Sequence, residues 1–134
     1  MADNGLVTVK SSHRVKDTID KLAAIITAKG MEVFARIDHA AGAAEVGLPL
    51  RPTELLIFGN AKGGTPLMQT EQAIGIDLPL KALVWQDAAG VTWISYNAPT
   101  WLAKRHGLSA ATEAAVRGMA GALDALARAA AGSP

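Results

Sequence analysis

At 134 residues, half of them apolar and 19% charged, the chain has the make-up of one soluble globular domain with a core of its own. Thirteen basic residues nearly cancel twelve acidic ones, leaving a formal charge of +1 and none of the clustered basic surface that nucleic acid demands; the absence of cysteine excludes disulfides, thiolate metal sites and cysteine nucleophiles. The start, with Asp3, lacks a signal-peptide pattern and no apolar run reaches about 18 residues, so no membrane partner and a cytoplasmic location are expected.

Leu6 to Lys10 is short and β-branched and predicts a strand, with Ser11 and Ser12 as helix N-caps behind it. Val15, Ile19, Leu22 and Ile26 then recur at spacings that mark one face of a helix, which Gly30 ends. In the next strand, Met31 to Asp38, the alternation puts Met31, Val33, Ala35 and Ile37 on one face. Asp38 caps a short helix, Ala40 to Val46, stopped by Gly47, and Pro49 and Pro52 force an extended connector.

Residues 53–75 are the centre of the chain. An apolar strand ends at Gly59, a polar loop runs from Asn60 to Gly64, and Thr65 as N-cap with Pro66 at the first helical position opens a short helix that Gly75 stops. Leu80 to Gln86 and Val91 to Tyr96 flank Asp87-Ala88-Ala89-Gly90, a hairpin. Pro99 starts a short helix whose last turn carries Arg105 and His106, cations that suit its dipole. Ser109 caps a final helix with the stripe Val116, Met119, Leu123, Leu126 and Ala130, while Gly118, Gly121, Ala122 and Ala125 leave room for close approach of another element. Residues 1–5 and 131–134 are expected to fray. This order predicts an α+β fold: a mostly antiparallel five-stranded sheet with two long helices on one face and short inserted helices.

Asp38-His39-Ala40-Ala41, Val46-Gly47-Leu48, Arg51-Pro52-Thr53 and Leu55 to Asn60 resemble the domain-of-unknown-function 302 family, as do Gly64 to Met68, Asp77 to Leu80, Trp85 and Ser95-Tyr96-Asn97. The resemblance runs from about Leu6 to Leu108. It implies a strand–helix–four strands–helix fold of TATA-box-binding-protein-like architecture, often homodimeric, and no established activity. Family members often carry Asn-Pro-Lys-Ala-Gly where this chain has Ala61 and Gly63, which predicts a more flexible loop here.

The candidate site is the Gly59–Pro66 loop. Free N–H groups at a helix start, together with Lys62, suit a phosphate or carboxylate, although Thr65 stands where a P-loop needs lysine. The expected function is binding of a small, possibly anionic ligand by Asn60, Lys62, Gly63, Gly64 and Thr65, with His39 and Tyr96 as walls. A second reading is an enzyme with His39 as general acid or base and Lys62 stabilising negative charge. A third is a homodimeric interaction module acting through the last helix, in which a charge at Leu123 or Leu126 abolishes assembly. His13, His39 and His106 lie far apart, so no metal is expected, and no cofactor. Trp85, Trp93, Tyr96 and Trp101 line either a cavity or the core.

Overall fold

The computed structural model describes residues 3–132. In chain order the elements are β1 (Leu6–Ser11), α1 (Val15–Ala28), β2 (Glu32–Asp38), α2 (His39–Glu45), β3 (Thr53–Gly59), α3 (Ala61–Thr70), β4 (Leu80–Gln86), β5 (Thr92–Asn97), α4 (Pro99–Arg105) and α5 (Glu113–Ala131). A 3-10 turn at Gln72–Asp77 follows α3, and another at Ala110–Thr112 precedes α5. The five strands form one sheet in the order β1-β5-β4-β3-β2, with every neighbouring pair antiparallel. The predicted α+β architecture is the observed one.

Residues paired across antiparallel strands share a face. Val7 opposite Tyr96, Val9 opposite Ile94, Ala82 opposite Leu56 and Phe58 opposite Val33 therefore build one apolar surface. Helix α1 lays Val15, Ile19, Leu22 and Ile26 on that surface, and α5 adds Leu123, Leu126, Ala127 and Ala130. Each large aliphatic side chain so buried contributes about 1.5–3 kcal/mol, so these stripes, and not helix propensity, hold the helices in place. At the edge of this layer Arg36 joins the elements, donating from Nη1 to Asp20 Oδ1 at 2.7 Å and from Nε to Glu54 Oε1 at 2.9 Å. A smaller apolar cluster of Leu67, Ile74 and Val116, with Met68, Leu78 and Met119 packed against it, fixes α3 and its 3-10 turn to α5.

Among the described residues, no helix layer covers the opposite face of the sheet. Leu6, Ile37, Leu55, Leu83 and Trp85 lie there, as the register and the exposure of Leu6 and Ile37 show. Trp85 Nε1 donates to Ser95 Oγ, which also shares a hydrogen bond with Thr8 Oγ1, both at 2.9 Å. The hairpin turn is closed by Asp87, which accepts from the Trp93 indole and from the backbone N–H groups of Ala89 and Val91, while Gly90 takes φ +84°. The Trp93 hydrogen bond first, then Val91 and Ala89, hold the Asp87 carboxyl below its ordinary value of 3.8. A depressed carboxyl stabilises the fold above its unfolded-state pKa, and the contribution disappears as pH falls through the folded-state value. Asp87→Asn is accordingly expected to lower the urea midpoint at neutral pH, with the deficit shrinking as the pH is stepped down below 3.8.

Several expectations need correction. Ser11 and Ser12 do not cap α1; its N-cap is Arg14, without a side-chain bond, and Ser11 Oγ instead pairs with Thr18 Oγ1 at 2.7 Å. A bulge between Val33 and Ala35 breaks the alternation of β2: Val33 pairs with Phe58 on the helix side, Ala35 with Ile57 on the open side. Ser109 caps the 3-10 turn by position only, and α5 begins after it at Glu113. Ala131, expected to fray, is fully buried and its carbonyl accepts from the Ser12 N–H at 2.9 Å. The other expected frayed residues include 1–2 and 133–134, which lie outside the described ones. The α5 stripe is spent on the core, so Leu123 and Leu126 are not free to form a seam, and a Cβ on Gly118 or Gly121 would meet nothing within 4 Å. The four aromatic residues do not share a single cavity: Trp85 and Trp93 are on the open face, and Tyr96, largely in the core, joins Trp85 in lining a small pocket on that face. Trp101 covers Gly5, where a Cβ would stand 2.4 Å from the ring.

Candidate functional site

The polar stretch after β3 is helix, not loop. Asn60 leaves the strand in an extended conformation and caps α3, its Oδ1 accepting from the Gly63 N–H at 2.6 Å and its carbonyl from the Gly64 N–H at 3.2 Å. The cap therefore stands five residues before the expected Thr65, and Pro66 sits inside the helix. A good N-cap outweighed two glycines, because the cap is set where the strand ends. The glycine pair, Gly63 and Gly64, lies in the first turn of this helix, and Gly75 lies within the 3-10 turn. Two features of α3 stay unsaturated by helix geometry: the N–H groups of Ala61 and Lys62 precede any helical acceptor, and Pro66 brings no N–H to the Lys62 carbonyl. Asn60→Ala is expected to cost about 1 kcal/mol, the usual value of a side-chain N-cap, and Asn60→Asp much less; urea midpoints measure both.

Beside this helix start lies a cleft of about 510 Å³, within the range of small-molecule sites. One wall is α3 from Asn60 to Pro66 with Met68; the floor comes from the strand ends, Met31, Phe34 and Leu78 to Leu80; the far wall is Ala115, Met119 and Ala122 of α5. The β2 bulge matters here, since Phe34 joins the lining and stays half exposed. The small side chains of α5 leave the cleft open. The lining is apolar almost throughout, with Lys62, Thr65 and Asn60 as its polar side chains.

Asn60, Lys62, Gly63, Gly64 and Thr65 are thus brought together on one wall. His39 and Tyr96 are not among the residues lining this cleft. In the β2–β3 register Glu32 faces Gly59 while Asp38 faces Glu54, so His39 is at the other end of the strand, roughly 20 Å from the α3 start. It is the exposed first residue of α2, whose cap is Asp38, accepting from the Ala41 N–H at 2.9 Å. His39 and Lys62 consequently have no common site for acid–base chemistry. Tyr96 faces the core, where burial and then the Asp124 carboxylate push its phenol upward.

Sequence reasoning missed the apolar wall, and one signal for it was available: of the four methionines, Met31, Met68 and Met119 all line this cleft. It also missed a part-buried carboxylate that ties two elements together. His106 Nε2 meets Asp77 Oδ2 at 2.5 Å and Arg105 Nη1 holds the same carboxylate at 3.0 Å, fastening the 3-10 turn to the end of α4. Among the described residues no group of three or more His, Cys, Asp or Glu side chains could hold a metal ion, and no helix is long and apolar enough to cross a membrane.

Two kinds of known protein are similar to this chain. It is 52% identical over 117 residues to a protein of Brucella suis biovar 1 (strain 1330) named fluoride-specific ion channel FluC 1, and equally so to its namesake in Brucella abortus biovar 1 (strain 9-941). These alignments take in 87% of this chain but only 46% and 43% of the two relatives, so the chain spans less than half their length. In fold it matches the crystal structure of an uncharacterized conserved protein, DUF302, from Bacillus stearothermophilus, with a TM-score of 0.84, 23% identity and coverage of 95% of this chain and 98% of that one. The sequence model for the family described as Domain of unknown function DUF302 matches residues 7–126, nearly the whole chain, and the protein belongs to that family.

Proposed function

We propose that this domain binds a small, mainly apolar molecule in the cleft between α3, α5 and the strand ends. An anionic group on the ligand would lie against Lys62 and the open N–H groups of the α3 start. The observation that carries this reading is the lining itself: Met31, Phe34, Met68, Leu78 and Met119 offer an apolar, adaptable surface around a ligand-sized space. An inorganic anion alone would leave that surface unused. The test is a series of straight-chain carboxylates of increasing length, with the matching alcohols, titrated into wild type and Lys62→Ala. Affinity should rise by up to about 0.8 kcal/mol for each methylene buried, and Lys62→Ala should weaken the carboxylates more than the alcohols. Affinity independent of chain length would refute the apolar site.

The Brucella relatives support a setting for such binding. They are named as channels and carry about as much further chain as the part matched here. In this reading the domain is a ligand-responsive module attached to, or acting beside, a channel built by the rest of those chains.

A second reading concerns assembly. The helix-free sheet face, with Leu6, Ile37, Leu55, Leu83 and Trp85, favours a twofold homodimer through the sheet and not through α5. Leu83→Lys should then convert a dimer to a monomer in light scattering without loss of the fold, whereas a monomeric wild type ends this reading.

A further inference from the structure

The three methionines of the cleft are the basis of a modification site. The chain has no cysteine, so methionine is its only sulfur-bearing residue type, and Met31 just before β2, Met68 of α3 and Met119 of α5 converge on one cavity. None of the three is fully buried, so a small oxidant has access to them. Met68 packs closely, its Sδ lying 3.2 Å from where a Cβ on Gly75 would stand, and its Cε is near Gly64 at the opposite side. Met68 and Met119 also pack against the Leu67–Ile74–Val116 cluster that holds α3 to α5.

We propose that Met31, Met68 and Met119 form an oxidation-sensitive lining, and that conversion to sulfoxides by hydrogen peroxide turns the cleft polar and releases an apolar ligand. In each step a thioether lone pair attacks one peroxide oxygen, the O–O bond breaks and an S–O bond forms. The departing hydroxide takes the remaining peroxide proton as water, so each sulfur is oxidised by two electrons and one peroxide yields one water. The product is a polar, chiral side chain where a flexible apolar one stood, and methionine sulfoxide reductases reverse it. The release step rests on the ligand reading above; the modification itself does not.

The test uses the whole chain, hydrogen peroxide and N-phenyl-naphthylamine, whose fluorescence rises in apolar sites. After oxidation, peptide mass spectrometry should show one added oxygen at each of Met31, Met68 and Met119. Probe affinity should fall by about tenfold or more, the effect of one poorly partnered polar group in an apolar site. Reductase treatment should restore it. In the Met31→Leu, Met68→Leu, Met119→Leu triple variant, nearly conserved in volume, peroxide should leave the probe affinity where it stood before treatment, whatever that starting affinity is. No oxygen at these positions, or sulfoxides without weaker binding, overturns the proposal even if the triple variant does not fold. Unoxidised wild type that binds no probe overturns the ligand reading, and the peptide map then judges the modification alone.

Discussion

Leu126→Asp should leave a chain that does not fold, rather than a folded domain that fails to assemble. Leu126 is buried with Leu123, Ala127 and Ala130 in the layer between α5, α1 and the sheet. Truncating a buried leucine costs about 2–5 kcal/mol, and a carboxylate in the same place adds the cost of an unpaired buried charge. The sum is of the order of the whole stability of a typical domain, about 5–15 kcal/mol. Far-UV circular dichroism should show lost helix and no cooperative urea transition. The control is Ala125→Asp, one residue away on the exposed side, which should change stability by no more than about 0.5 kcal/mol. A folded, monomeric Leu126→Asp protein would restore α5 as an assembly surface.

Ala122→Trp is expected to have the largest effect on binding. Ala122 is exposed and lines the far wall of the cleft, opposite the α3 start. An indole there brings about 150–250 Å² of surface into space that a ligand would otherwise occupy. Affinity for a long-chain carboxylate should fall at least about tenfold, equivalent to about 1.4 kcal/mol. Stability should hardly move, because the substitution points into an open cleft and disturbs no core contact. Calorimetric titration beside a thermal melt separates the two quantities. Unchanged binding with an unchanged melt would place the ligand elsewhere.

The fold was legible wherever a local pattern also decided the tertiary contact. The Val15–Ile19–Leu22–Ile26 stripe and the Asp87–Gly90 hairpin are cases in which spacing alone names the buried side. Legibility failed where two local signals competed. Asn60 and Thr65 are both good caps, and the choice between them depends on where β3 stops, which its pairing with β2 and β4 determines. The bulge at Phe34 was hidden for a related reason: alternation cannot show an extra residue whose presence is defined by the partner strand. The polar wall of the cleft is contiguous in sequence, so its residues could be grouped without the fold. Its apolar half comes from the segments leading into β2 and β4 and from α5, and only the sheet order brings Met31, Leu78 and Met119 together. His39 was misplaced because a strand of seven residues separates it from the site, a distance invisible until β2 is known to run away from Gly59.

The most direct test of the central claim is a titration of nitrogen-labelled protein with decanoate, followed by amide chemical shifts. Binding in the cleft should move the signals of Gly59, Lys62, Gly64, Met68 and Ala122 together with one dissociation constant. Movement confined to Leu55, Leu83, Trp85 and Ser95 would place the apolar ligand on the open sheet face and contradict the account.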